Sequence, residues 1–138
     1  MRTSLIRTKI KEIEDSLQAI EEYLPGDVED FIALGIVKDG IYKRLEFCIE
    51  TVFDICAVLN ADCDLGIPGN DEGIVDNMIR SKILPGGMRE KLAAMKGFRN
   101  IVVRRYGKLD DPLAFSILSE HLGDFYEFID LINDYIER

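Results

Sequence analysis

Ile41-Tyr42-Lys43-Arg44-Leu45-Glu46-Phe47-Cys48-Ile49-Glu50-Thr51-Val52-Phe53-Asp54-Ile55-Cys56-Ala57-Val58-Leu59-Asn60 repeats apolar side chains at intervals of three and four. Ile41, Leu45, Cys48, Ile49, Val52, Ile55, Cys56 and Leu59 therefore share one side of an α-helix. The spacing predicts a long helix from near Asp39 to about Asn60. Glu46, Glu50 and Asp54 form an acidic stripe on the same helix, one turn apart. Either water solvates the stripe or it faces a basic helix elsewhere. A guanidinium taken out of water needs a carboxylate partner, so Glu50 and Asp54 are the candidates for Arg99.

The pattern continues on both sides. Leu5, Ile6, Ile10, Ile13, Leu17, Ile20 and Leu24 mark a first helix of about five turns, with Thr3 or Ser4 as its cap and Pro25-Gly26 as its stop. Asp27 to Leu34 can add one or two turns. Asn70 caps a shorter helix through Ser81, with Ile74, Val75, Met78 and Ile79 inward. After Ile83-Leu84-Pro85-Gly86-Gly87, a helix resumes at Met88 and runs to Gly107. Asp110 or Asp111 before Pro112 opens a last helix, expected to run unbroken to the C-terminus. Its stripe of Phe125, Phe128, Ile129, Ile132 and Ile136 suits either the core or a second subunit, as do Tyr23, Tyr42, Tyr126 and Tyr135. No convincing strand alternation appears. The expectation is all-α: one domain over residues 1–138, an antiparallel up-and-down bundle of four long helices plus short ones.

Composition narrows the functional classes. At 138 residues, 47% hydrophobic and 31% charged, the chain fits a globular domain burying about two-thirds of its unfolded surface. No apolar run approaches the ~20 residues of a membrane span, and no signal peptide is visible, so a cytoplasmic protein without membrane contact is expected. Cys48, Cys56 and Cys63 show no CxxC spacing and read as small hydrophobes. With His121 the single histidine, no metal site and no cofactor are expected.

The net charge of −9 argues against general nucleic-acid binding. Its distribution is uneven. Arg89, Lys91, Lys96, Arg99, Arg104, Arg105 and Lys108 fall in one window with Glu90 as the single acid, giving +6 there and −15 elsewhere. Such a contrast suits a specific anionic ligand or an acidic partner, unless the cations only solvate a helix. Within the window, Gly97-Phe98-Arg99-Asn100-Ile101-Val102-Val103-Arg104-Arg105-Tyr106 surrounds an apolar run with polar groups. Arg99 and Tyr106, seven apart, share one helical face; Asn100 and Arg104 share the next. Together with Lys96 and Arg105 they make a phosphate-binding inventory.

This segment resembles the signature of the HEPN superfamily, in its HepT-like branch: arginine, four residues of which the first is polar, histidine, any residue, tyrosine. Arg99, Asn100 and Tyr106 match it. The similarity extends to Glu46, Cys48, Ile49, Glu50, Asp54 and Ile55 in the second long helix, to Ile83-Leu84-Pro85 and to Asp110 through Leu118, hence to nearly the whole chain. It departs at the histidine position, which holds Arg104. The resemblance implies metal-independent RNA cleavage, with the arginine stabilising the strained phosphate and the histidine moving protons. Arg104 can grip phosphate but cannot act as a base. His121, 17 residues past Arg104, is no obvious substitute, whereas Glu50 or Asp54 could serve as one. The resemblance also implies a homodimer with a shared cleft, and a partner, an MNT-type nucleotidyltransferase antitoxin that transfers AMP from ATP to the motif tyrosine. By position Tyr106 is the acceptor. The expected assignment is thus Arg99 and Arg104 as catalytic groups, with Asn100, Arg105 and Lys96 on phosphate. Two alternatives stand beside it: an inactive nucleotide- or RNA-phosphate-binding accessory subunit of the nucleotidyltransferase, and a purely structural helical dimer.

Overall fold

A computed structural model describes residues 1–103 and 110–138. The helices are α1 (Thr3–Tyr23), α2 (Val28–Ile32), α3 (Ile36–Asp62), α4 (Asp71–Arg80), α5 (Met88–Val103), α6 (Asp111–Glu120) and α7 (Leu122–Ile136), and no strand occurs among the described residues. The four long ones are α1, α3, α5 and α7. The motif residues Arg104, Arg105 and Tyr106, with the expected stop at Gly107, lie outside the described residues.

The predicted apolar face of α3 is buried along its full length, from Ile41 through Leu59. It packs against α1, α4, α5 and α7, which makes α3 the central helix. Each fully buried leucine or isoleucine there contributes about 1.5–3 kcal/mol relative to exposure. Cys48 and Cys56 sit inside this core, where burial pushes both thiols up to about 12. They pack as hydrophobes.

Local chemistry sets most helix ends. The side chains of Asp27, Asn70 and Asp110 accept hydrogen bonds from the backbone N–H groups of Asp30, Gly73 and Leu113, at 2.8, 2.9 and 3.1 Å. The start of α1 departs from expectation. Thr3 and Ser4 lie within the helix, and Arg2 precedes it with no side-chain cap. Arg2 instead donates its backbone N–H and Nε–H to Asp62, at the end of α3. A tertiary contact thus replaces the local cap.

The last helix is also not continuous. His121, with φ −118° and ψ 3°, separates α6 from α7. Packing explains the break: α6 lies against α2 and α5, whereas α7 lies against α1 and α3. One straight helix cannot follow both directions, and the low helix propensity of Gly123 eases the turn. Phe125, Phe128, Ile129 and Ile132 are buried within this one chain, so the stripe offered to a second subunit is spent on the core.

Next to Asp110, Asp111 joins α6 to the start of α3. The Lys38 ammonium donates to one carboxylate oxygen at 2.8 Å, and the Tyr42 hydroxyl donates to the other. Below them, Phe31 packs against Tyr42 and Phe115. Burial pushes the Asp111 carboxyl up, but the Lys38 and Tyr42 hydrogen bonds outweigh it and hold it below the usual range. A depressed native pKa stabilises the fold above the unfolded value of ~3.9 and is lost as pH falls through the native one. Asp111→Asn is expected to cost about 1–3 kcal/mol at pH 7. In urea titrations its deficit against wild type should shrink below about pH 3.9. A gap that is equal at pH 7 and pH 3 would contradict the charge-based account.

No helix among the described residues is long and apolar enough to cross a membrane.

Candidate functional site

Arg99 projects from α5 towards α3, where its Nε lies 3.4 Å from Glu50 Oε1. The two side chains are 43% and 44% exposed, so the pair sits at the rim of the bundle. The Nε atom itself is shielded from solvent and makes no hydrogen bond among the described residues, because its N–H is misaligned with Glu50. An unsatisfied buried donor is uncommon and calls for an explanation, a functional one included. The two terminal nitrogens carry the remaining N–H donors of the guanidinium fork.

Of the two carboxylates proposed for Arg99, Glu50 is therefore the partner. Asp54 is 62% exposed and lies 3.9 Å from Lys9 on α1. Glu46 pairs within its own helix, with Lys43 at 3.6 Å. The stripe read as one surface is divided among three cations.

The basic window is divided in the same way. Arg89 pairs with Asp76 and Lys96 with Asp71 (3.8 Å), both on α4, while Lys91 pairs with Glu127 on α7. Each described cation of α5 thus meets an acid from a different helix. The positive field expected along this segment is largely neutralised up to Arg99. Lys96 can reach a phosphate only by exchanging its distant, half-exposed partner. Asn100 is exposed on the α4 side of α5.

His121 lies closer to α5 than its sequence distance implied. Its ring packs on Phe98, with centroids 5.4 Å apart, and its Nδ1 is 3.5 Å from Asp124 Oδ2. The contact follows from the break between α6 and α7, which no spacing announced. Among the described residues no group of three or more His, Cys, Asp or Glu could hold a metal ion.

Between α3, α4 and α5 runs a groove of about 530 Å³. Phe53, Val75 and Leu92 form its apolar wall, and Asp71, Lys96 and Asn100 part of its polar rim. The sequence singles out Lys96 and Asn100 for phosphate and gives no sign of the contribution of α4, which is distant along the chain.

A family model described as "Ribonuclease HepT-like" matches residues 13–132. The mRNA nuclease HepT of Shewanella oneidensis is 28% identical over 128 residues, covering 93% of this chain and 96% of that protein. A rebuilt structure of the tri-AMPylated Shewanella oneidensis HEPN toxin in complex with MNT antitoxin is 28% identical, with a TM-score of 0.82 over 94% of this chain and 96% of that one. A crystal structure of a toxin–antitoxin with AMP-PNP gives 27% identity and a TM-score of 0.84, over 95% of this chain and 98% of that one. The match over most of the chain, from the middle of α1 to the middle of α7, establishes that it belongs to the HepT-like ribonuclease family.

Proposed function

We propose that this chain is the toxin of a HepT-like toxin–antitoxin pair: an endoribonuclease working without metal, silenced when a nucleotidyltransferase antitoxin places AMP on Tyr106. The observation that carries the reading is Arg99, at the motif position on α5, paired with Glu50 at the rim of the bundle. Arg99 and Arg104 stabilise the phosphate undergoing cleavage, Arg105 holds a neighbouring one, and Asn100 and Lys96 line the adjoining groove. Glu50, beside Arg99, is the carboxylate suited to take a proton. Two copies of the chain form the cleft. In the silencing step the Tyr106 oxygen attacks the α-phosphorus of ATP, pyrophosphate leaves, and the phenolic proton passes to solvent. The new phosphodiester puts negative charge beside Arg104 and Arg105 in the sequence and occupies their site.

Arg104 itself favours a second reading: a phosphate-binding subunit of the nucleotidyltransferase that no longer cleaves. An arginine holds its proton at every physiological pH, so the acid–base contribution of ~10²–10⁴ from a histidine is missing. Incubating RNA with the purified protein and with Arg104→His separates the two. Measurable wild-type cleavage supports the ribonuclease. A silent wild type with a variant at least tenfold above background supports the accessory subunit. Silence in both, with no AMP accepted from the partner enzyme, would remove both readings.

A further inference from the structure

We propose that the groove between α3, α4 and α5 is a nucleobase subsite, taking an amine-bearing base either from RNA or from an adenylate on tyrosine; this rests on the function proposed above. Its size falls within the ~300–1,000 Å³ typical of small-ligand sites. Its charge is wrong for phosphate. Lys96 pairs with Asp71 and Arg89 with Asp76, which leaves the Glu72 carboxylate as the net charge of the lining. A carboxylate repels a phosphate but accepts hydrogen bonds from the exocyclic amines of adenine, cytosine and guanine. Asn100 adds an amide that both donates and accepts. Phe53, with Val75 and Leu92, offers a base an apolar face to lie against.

Gly97 supplies an independent indication. It lies inside α5, where glycine costs roughly 0.5–1 kcal/mol relative to alanine. Packing among the described residues does not demand it: a Cβ built there meets none of them within 4 Å. It lines the groove, where its missing side chain leaves space. Asn100 also follows Arg99 directly, about 1.5 Å further along the helix and roughly 100° around it. A base in the groove thus leaves its phosphate on the side of Arg99.

Gly97→Leu tests this in the full-length protein, since it fills the groove and favours the helix. Calorimetric titrations with AMP, CMP, GMP, UMP and ribose 5-phosphate are the readout. The expected result is binding of the three amine-bearing nucleotides, with UMP weaker and ribose 5-phosphate at least tenfold weaker. Gly97→Leu should weaken nucleotide binding at least tenfold with an unchanged or higher Tm. If that variant does not fold, Phe53→Leu should weaken binding several-fold. Equal affinity for ribose 5-phosphate, wild-type affinity in Gly97→Leu, or displacement of the nucleotides by agmatine would each overturn the subsite. Two further arms separate the sources. An RNA base predicts a raised KM for cleavage in Gly97→Leu with kcat retained. A tyrosine adenylate predicts faster removal of AMP by phosphodiesterase in that variant. Cleavage and AMP acceptance that are both unaltered by Gly97→Leu would remove the groove and leave the proposed function. A wild type that binds nucleotides there but neither cleaves RNA nor accepts AMP would do the reverse.

Discussion

Arg99→Ala is expected to lower RNA cleavage about 10²–10³-fold, the loss typical of removing one preorganised donor from a developing oxyanion. The fold should survive. Both members of the Arg99–Glu50 pair are more than two-fifths exposed, so Glu50 returns to water when its partner is gone. Exposed pairs of this kind contribute about 0–1 kcal/mol. Arg99→Lys should recover little, because an ammonium has no planar fork to span two phosphate oxygens. Rates from the variant and wild type at matched secondary structure decide the matter. A drop smaller than threefold would take Arg99 out of the reaction.

Tyr106→Phe should abolish AMP transfer altogether. Phenylalanine has no oxygen to attack ATP, and the other tyrosines are poor substitutes. The Tyr42 hydroxyl is engaged by Asp111, that of Tyr126 by Glu21 at 2.9 Å, and that of Tyr135 by Cys63 at 3.4 Å. Burial and the Glu21 hydrogen bond push Tyr126 up to about 12, which leaves almost no phenolate at neutral pH. Tyr23, 56% exposed, is the open competitor. Intact mass after incubation with the paired nucleotidyltransferase and ATP should show adenylyl additions on wild type and on Tyr23→Phe, and none on Tyr106→Phe. Additions that persist without Tyr106 would move the acceptor elsewhere.

How far such a site can be read from sequence depends on the range of the interaction. Asn70, Asp110 and Pro112 declare helix starts because a cap acts within three residues. The apolar rows of α1 and α3 declare their buried faces because 3.6-residue periodicity is local. Arg99 and Asn100 were visible through their spacing. The choice of Glu50 over Asp54 was not. Each four-residue step turns the stripe by about 40°, and that winding carries Asp54 round to Lys9. Nor could a linear count of charge see that Lys91 meets Glu127, 36 positions away. The His121 break has the same origin: α6 and α7 lie against different neighbours, a demand of the assembled bundle.

The pairing of the α5 cations bears on how a polyanion would first meet this protein. At a distance, an RNA strand senses the overall charge of −9, because the basic side chains up to Lys96 are already matched by neighbouring carboxylates. Attraction begins only within a screening length of ~8 Å at physiological ionic strength. Added salt then acts in opposite senses on approach and on grip: it softens the long-range repulsion that slows collisions and loosens the short-range hold that prolongs them. Under the proposed function, such a surface passes over most of the RNA that drifts past and engages only what is delivered to its rim.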